Sequence, residues 1–364
     1  MPQTFALSQT QALPSWERFS SLSTHPPNSP SLTLAPLLVI KACKAFITNS
    51  GIEINKGELG GWVEKEENLS QEGSAWVWKD ARVCGTARVY GDAEIWGNAI
   101  VWGNAKVCGT AQICDDAKIG GNAEIWDYAR VYDNAEVWGA ARIGGDAKVY
   151  GEAKVYGNAD IWGATKICGN SKISGNAEVW GAATIWDNAK IFGNAKVCGN
   201  SKISGDARIY DNAEIWGNAK VCGTAQIWEG AVVRDNAEVA GEAKIFGNAA
   251  IKGNAKVAGK AIIYGDAEVW GDSEISGNAE VSGDAKIGGD AFISSLDNII
   301  TIAPVGRYRI SLSLFRTKEN SIKASYNWDI YTLEKFQSFM SDWTEEEQKI
   351  IKSIIEVAKS QIKI

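Results

Sequence analysis

One histidine, His25, is all that the 364-residue chain contains, so a coil-borne imidazole base or a histidine metal site has nothing to draw on. Proline is nearly confined to the start, at Pro2, Pro14, Pro26, Pro27, Pro30 and Pro36, and none lies between residues 37 and 303. That long stretch keeps every backbone donor for strand pairing. No apolar run approaches the ~20 residues that a membrane-spanning helix needs, and no charged-then-apolar leader opens the sequence, so a cytoplasmic location without membrane association is expected. Cysteine is scarce and odd in number, seven in all, which cannot close into a full set of internal bridges. There is no Walker loop and no dinucleotide fingerprint; the many Gly-x5-Gly spacings are turn glycines. The net charge of −7 disfavours nucleic acid as a partner.

What is present is a period. From Val77 to Ile293 every sixth residue is Val or Ile, 37 positions without exception. Two residues earlier stands Ala at 33 of them, with Thr165, Ser171, Ser201 and Ser273 as the others. Side chains alternate faces along an extended segment, so Ala and the aliphatic share one face, while the charged residue between them and the variable residue after them share the other. Ala and aliphatic are therefore expected inside.

The variable residue is followed by Gly in 28 of 37 units, then usually by Asn or Asp. This is corner chemistry, since Gly reaches φ > 0 freely and Asn or Asp tolerates it. A strand burying one methyl and one branched side chain cannot stand alone, so successive coils must stack to make a core. Three six-residue sides give a triangular coil of about 18 residues and about 12 coils, spaced about 4.8 Å apart.

The unit resembles the hexapeptide repeat of the left-handed parallel β-helix, the fold of the trimeric LpxA-like acyltransferase superfamily. Handedness and a homotrimer are implied by that resemblance alone. Enzymes of the superfamily use a histidine base on the coil surface beside the trimer interface. His25 lies in the proline-rich arm, so no coil residue here matches that base, and the uninterrupted units leave out the loops that shape donor and acceptor pockets. Residues 60–78, "GGWVEKEENLSQEGSAWVW", are similar to the N-terminal signature of YdcK-type hexapeptide proteins, found in bacterial genomes and often in prophages and commonly labelled transferases. "ITIAPVG", "FRTK" and "TLEKF" are similar to the tail of their prophage relatives, so the resemblance covers about residues 38 to 364.

The expected fold is an all-β solenoid with a small C-terminal hairpin and helical cap. Residues 1–36 read as a disordered Pro/Ser-rich arm or an upstream start-site extension, 37–74 as a lead-in covering the first coil, 75–296 as the repeat, and 297–364 as an α+β cap. In the cap, 297–331 alternates like a hairpin or meander, Thr332 opens a helix, and Thr344 with Glu347 forms a capping box before another.

Neither a catalytic residue, a cofactor nor a metal is expected in the coil. Corner aspartates such as Asp115, Asp116, Asp127 and Asp133 lack the dense nonapeptide of calcium-binding β-rolls. Six cysteines, Cys84, Cys108, Cys114, Cys168, Cys198 and Cys222, occupy the variable column and read as small exposed thiols in a reducing cytoplasm. In the same column 19 of 37 residues are aromatic. On one side Trp102, Trp138, Tyr156, Phe192, Tyr210, Trp228, Phe246 and Tyr264 are expected to stack as a ladder beside Lys154, Lys172, Lys190 and Arg208. Exposed aromatic area of this size marks a contact surface: self-stacking that stiffens the coil, a self-association face, or a groove for a polysaccharide or protein partner.

The segment "GNAKVCGTAQI" occurs at 103–113 and 217–227, and "GNSKISG" at 169 and 199, offsets of 19 and 5 units. Neither is a whole number of three-sided coils, so copies land on different sides. Such shuffling favours a structural or binding module over an acyltransferase-like enzyme, with a glycan-binding surface protein as a further alternative.

Overall fold

A computed structural model describes residues 5–8, 38–42, 45–306 and 309–362. It contains two compact units, Met1–Gly163 and Ala164–Ile364. Most of the proline-rich arm, with His25, lies outside the described residues, as does Cys43. Within the arm, Phe5–Ser8 is a strand and pairs antiparallel with Leu38–Ala42, which departs from the expected disorder. Leu38–Ala42 would otherwise leave a row of backbone donors and acceptors unpaired at a sheet edge.

In the first unit the register is in phase with the repeat. Ile95 sits beside both Val77 and Ile113, one full coil away in each direction. Val101 likewise sits between Val83 and Ile119, and Val107 between Val89 and Ile125. These are the three parallel sheets of a single-stranded parallel β-helix with a triangular coil. The lead-in does more than cover the first coil. Leu59–Val63 and Leu69–Gly73 extend two of the sheets, with Val63 beside Val83 and Leu69 beside Val89, so an additional coil precedes the strict repeat. The two extra residues are absorbed by a register shift between Leu69 and Gly73.

In the second unit the same phase runs from Lys166–Ile167 to Phe292–Ile293. Every Val and Ile at the sixth-residue positions is at most 1% exposed, and the alanines two residues earlier are sealed as well. The axis is therefore filled by one aliphatic and one methyl from each side. At most corners Gly is favoured twice over. Gly223 has φ +70°, and a Cβ there would stand 2.7 Å from the carbonyl oxygen of Gly241 one coil on. Where Asp or Glu replaces Gly, its carboxylate accepts the next coil's corner N–H: Asp187 from Gly205 at 3.0 Å, Glu229 from Gly247 at 2.8 Å, Asp235 from Gly253 at 3.0 Å. In the first unit Asp127 and Asp133 do the same for Gly145 and Gly151.

The hydroxyls that interrupt the alanine column are not equivalent. Ser201 Oγ donates to the Cys198 carbonyl at 2.6 Å, whereas the buried Ser171 hydroxyl has no partner among the described residues. Replacing an orphaned polar group by the residue the repeat prefers should help, so Ser171→Ala is expected to stabilise the second unit by about 1 kcal/mol. A chemical-denaturation midpoint measures this, with Ser201→Ala, which loses a satisfied hydrogen bond, as the contrasting variant.

The C-terminal cap is a four-stranded antiparallel meander, Ile299–Val305, Ile310–Arg316, Ile322–Tyr326 and Asp329–Thr332. Helices α1 (Leu333–Phe339) and α2 (Glu345–Gln361) pack on it around Leu312, Leu314, Tyr326, Phe336, Trp343 and Ile355. Thr332 caps α1, and Thr344 with Glu347 forms the expected capping box of α2. Open strand edges at the last coil are closed by the cap: Ser311 Oγ donates to the Asp284 carbonyl at 2.6 Å, and Lys318 N–H to that of Asp290 at 3.0 Å. Among the described residues no helix is long and apolar enough to cross a membrane.

Candidate functional site

The candidate surface is built from two outward positions of each unit, the charged residue and the variable residue. Because coils are in register, each outward side chain meets its counterpart one coil on. In the second unit this produces an unbroken stack of five rings. Phe192 and Tyr210 are 4.9 Å apart at 2°, Tyr210 and Trp228 5.6 Å at 1°, Trp228 and Phe246 4.4 Å at 9°, and Phe246 and Tyr264 5.0 Å at 4°. All five are half-buried. Each inner ring therefore has both faces covered by its own neighbours and presents only an edge to water.

The first unit holds shorter stacks. Trp138 lies on Tyr156 at 4.7 Å and 8°. On another side Trp78 stacks on Trp96 at 4.3 Å and Tyr132 on Tyr150 at 4.9 Å. Trp102 does not join the ladder. Its indole lies over Gly120, where a Cβ would come within 2.2 Å of the ring. The same arrangement recurs where Gly takes the variable position: Trp126 covers Gly144, and in the second unit Trp270 covers Gly288. A Gly exactly one coil after a Trp was the available signal for these folded-over indoles.

Part of the charged column is also paired along the axis. Lys154 is not a free flanking cation; its Nζ is 3.0 Å from Glu136, which also faces Lys118. Lys106 pairs with Glu124 at 2.7 Å, Arg142 with Asp160, Lys196 with Glu214 and Lys220 with Glu238. Corner asparagines form amide ladders, Asn200 to Asn218 to Asn236 to Asn254, each step 3.0–3.1 Å, ending on Asp272 at 2.9 Å. Several other cations of the column have no ion pair among the described residues, and three of these, Lys172, Lys190 and Arg208, lie on adjacent strands.

The six described cysteines are unpaired but are not exposed thiols. Cys84 and Cys198 are buried and the other four are half-buried; all but Cys222, which stands between Ser204 and Ala240, have an aromatic residue one coil away. Burial, the largest influence, pushes both Cys84 and Cys114 up to about 11.

Two clusters lay beyond sequence reasoning. Glu94, in the charged column, is fully buried: the turn after Phe46–Ile47 folds over it, and Ser50 donates through its N–H at 2.7 Å and its Oγ at 2.7 and 2.9 Å. Phe46 packs edge-on against Trp76 at 5.5 Å in the same place. In the second unit Glu268 accepts from Lys252 at 2.5 Å, Lys286 at 2.7 Å and Trp328 Nε1 at 3.2 Å, tying the cap to the coil. Burial pushes the Glu268 carboxyl up, but the hydrogen bonds from both lysines outweigh it and hold the group down at about 2. A carboxyl depressed in the folded state contributes stability above its unfolded value and loses it as pH falls through its folded value. Acid should therefore weaken the cap between about pH 4.5 and 2, and Glu268→Gln should flatten that part of a stability–pH profile.

Among the described residues no group of three His, Cys, Asp or Glu is arranged to hold a metal ion. A concavity on the first unit, about 600 Å³ and open, is lined by Glu66, Glu67, Leu69, Ser70, Arg88 and Tyr90 among others.

No family model matches the chain, and no curated protein matches it. Among solved structures it is similar to UDP-N-acetylglucosamine O-acyltransferase (LpxA) from Moraxella catarrhalis RH4, at 16% identity over 43% of this chain and 68% of that chain, with a TM-score of 0.18. It is also similar to LpxA from Acinetobacter baumannii, at 13% identity over 58% of this chain and 68% of that chain, with a TM-score of 0.19.

Proposed function

We propose that the chain is a non-catalytic structural β-helix module, in which the repeat supplies length and a stiff, regular surface. One observation carries this reading: the outward columns bond to their own copies one coil on, ring to ring, amide to amide and charge to charge. Side chains committed to such ladders stiffen a stack of coils whose core is only one aliphatic and one methyl deep. The closed ring faces also disfavour a glycan site that works by stacking sugars on tryptophan.

Kinship with YdcK-type hexapeptide proteins and a prophage origin belong to the same proposal and rest on the resemblance of residues 60–78 and of the tail; self-association as a homo-oligomer, by analogy with the hexapeptide-repeat superfamily, and a cytoplasmic location complete it. The opposing reading, an acyltransferase-like enzyme, is tested by titrating the full chain with acyl-coenzyme A in a calorimeter. The structural reading expects no saturable heat. Micromolar saturable binding would overturn it.

A further inference from the structure

We infer that two adjacent sides of the second unit form a binding surface for a linear acidic polysaccharide, held by Lys166, Lys172, Lys190, Lys202 and Arg208. The inference does not depend on whether the coil is catalytic. The charges on these two sides are an energetic anomaly. Elsewhere the register places opposite charges on neighbouring strands, as in Lys106 with Glu124 or Lys220 with Glu238. Here Lys172 lies beside Lys190, and Lys190 beside Arg208, on three successive strands of one side. On the adjoining side Lys166, Thr184, Lys202 and Lys220 follow one another in register. Like charges directly opposite on neighbouring strands are destabilising. In the first unit they occur among the described residues only as isolated pairs, Arg130 with Lys148 and Arg88 with Lys106, and Lys106 has Glu124 on its other flank.

Five of these cations make no ion pair among the described residues, and four of the five are exposed, Lys190 being half-buried. Acids do lie nearby, at corners. Asp187 is committed to the Gly205 N–H at 3.0 Å, while Asp206 and Asp211 are exposed. From residue 166 to 220 the outward charged position carries seven cations and two acids in ten units, in a chain whose net charge is −7. Both acids, Glu178 and Glu214, stand on the third side, where Lys196 lies between them.

A row of charges repeating at the strand spacing, about 4.8 Å, suits a polymer that carries a negative charge at each repeat and runs along the stack. Ser174 and Ser204, two residues after Lys172 and Lys202 on the same faces, offer half-buried hydroxyls to sugar hydroxyls. Single-stranded nucleic acid fits less well, because it is gripped by stacking bases on open aromatic faces. The faces of Tyr210, Trp228 and Phe246 are already covered.

The test uses the full chain with polygalacturonate, a thymidine oligonucleotide and neutral dextran, at low and at moderate salt. Polygalacturonate should bind, dextran should not, and affinity should fall as salt rises. The triple variant Lys172→Glu, Lys190→Glu, Arg208→Glu should bind roughly tenfold or more weakly. The milder triple change of the same residues to Gln serves where charge reversal disturbs folding, read only with an unaltered melting curve. Absent polygalacturonate binding, or binding that the triple variants leave unchanged, would overturn the inference. Equal or tighter binding of the oligonucleotide through the same residues would overturn the assignment to polysaccharide.

Discussion

Ile185→Asp is expected to destabilise the second unit by about 4 kcal/mol or more, because the introduced carboxylate would face a closed apolar axis. Ile185 is fully buried, lies in register with Ile167 and Ile203, and is surrounded by further Val, Ile and Ala side chains of the repeat. No basic group can turn inward to meet the charge, since the cations of the repeat sit on the opposite face of each strand. The deficit should shrink below about pH 4, where the carboxyl is neutral in folded and unfolded states alike. Ile185→Ala should cost about 3 kcal/mol with no such pH dependence, as a cavity does. Urea titrations at two pH values separate the effects, and unchanged melting of the Asp variant would refute the inward assignment.

Trp228→Ala carries the second large effect. Trp228 is the middle ring of the five and touches Tyr210 on one face and Phe246 on the other. Its removal forfeits two stacking contacts of about 1 kcal/mol each and opens a gap in the column, for a total of about 2–3 kcal/mol. A fully buried Trp would cost more. Trp216 provides the control, since it is 40% exposed and its indole N–H goes to Glu214 at 3.0 Å. Trp216→Ala should cost under about 1 kcal/mol. If the ladder is what stiffens the coil, near-ultraviolet circular dichroism should change strongly for the first variant and little for the second. Equal small costs for both would make the stack incidental.

The inward column was legible because its signal is composed of the residues themselves: an aliphatic every sixth position leaves no alternative phase for burial. The ladders were legible only where the aromatic column continues unbroken from coil to coil. Trp102 fell outside the expected stack because Gly120 offers its indole a bare backbone to cover, a contact more immediate than Trp138 two coils away. Lys154 reads as a flanking cation along its own strand, yet the same position one coil back holds Glu136, its partner. Cysteine burial was hidden because the column's direction does not fix it: five of the six have an aromatic residue one coil away, whereas Cys222 is half-buried between Ser204 and Ala240. Glu94 and Ser50 had no signal at all, since their meeting depends on where a 44-residue loop of chain returns. The pairing of Phe5–Ser8 is of the same kind, set by an available sheet edge rather than by composition.

Every ladder on the coil surface requires that outward positions one coil apart be neighbours. Mild oxidation of Trp186→Cys tests this directly, because Cys168 occupies the equivalent place on the adjacent strand, and the Cys168 N–H bonds to the Ile185 carbonyl at 2.9 Å. Neighbouring strands bring Cα atoms to about 4.8 Å, within the roughly 4.4–6.8 Å that a disulfide spans. Peptide mapping should find the introduced cysteine bonded to Cys168. A bridge chiefly to Cys198, which the three-sided coil puts on a different side, or no internal bridge at all, would contradict that coil and the self-bonded surface built upon it.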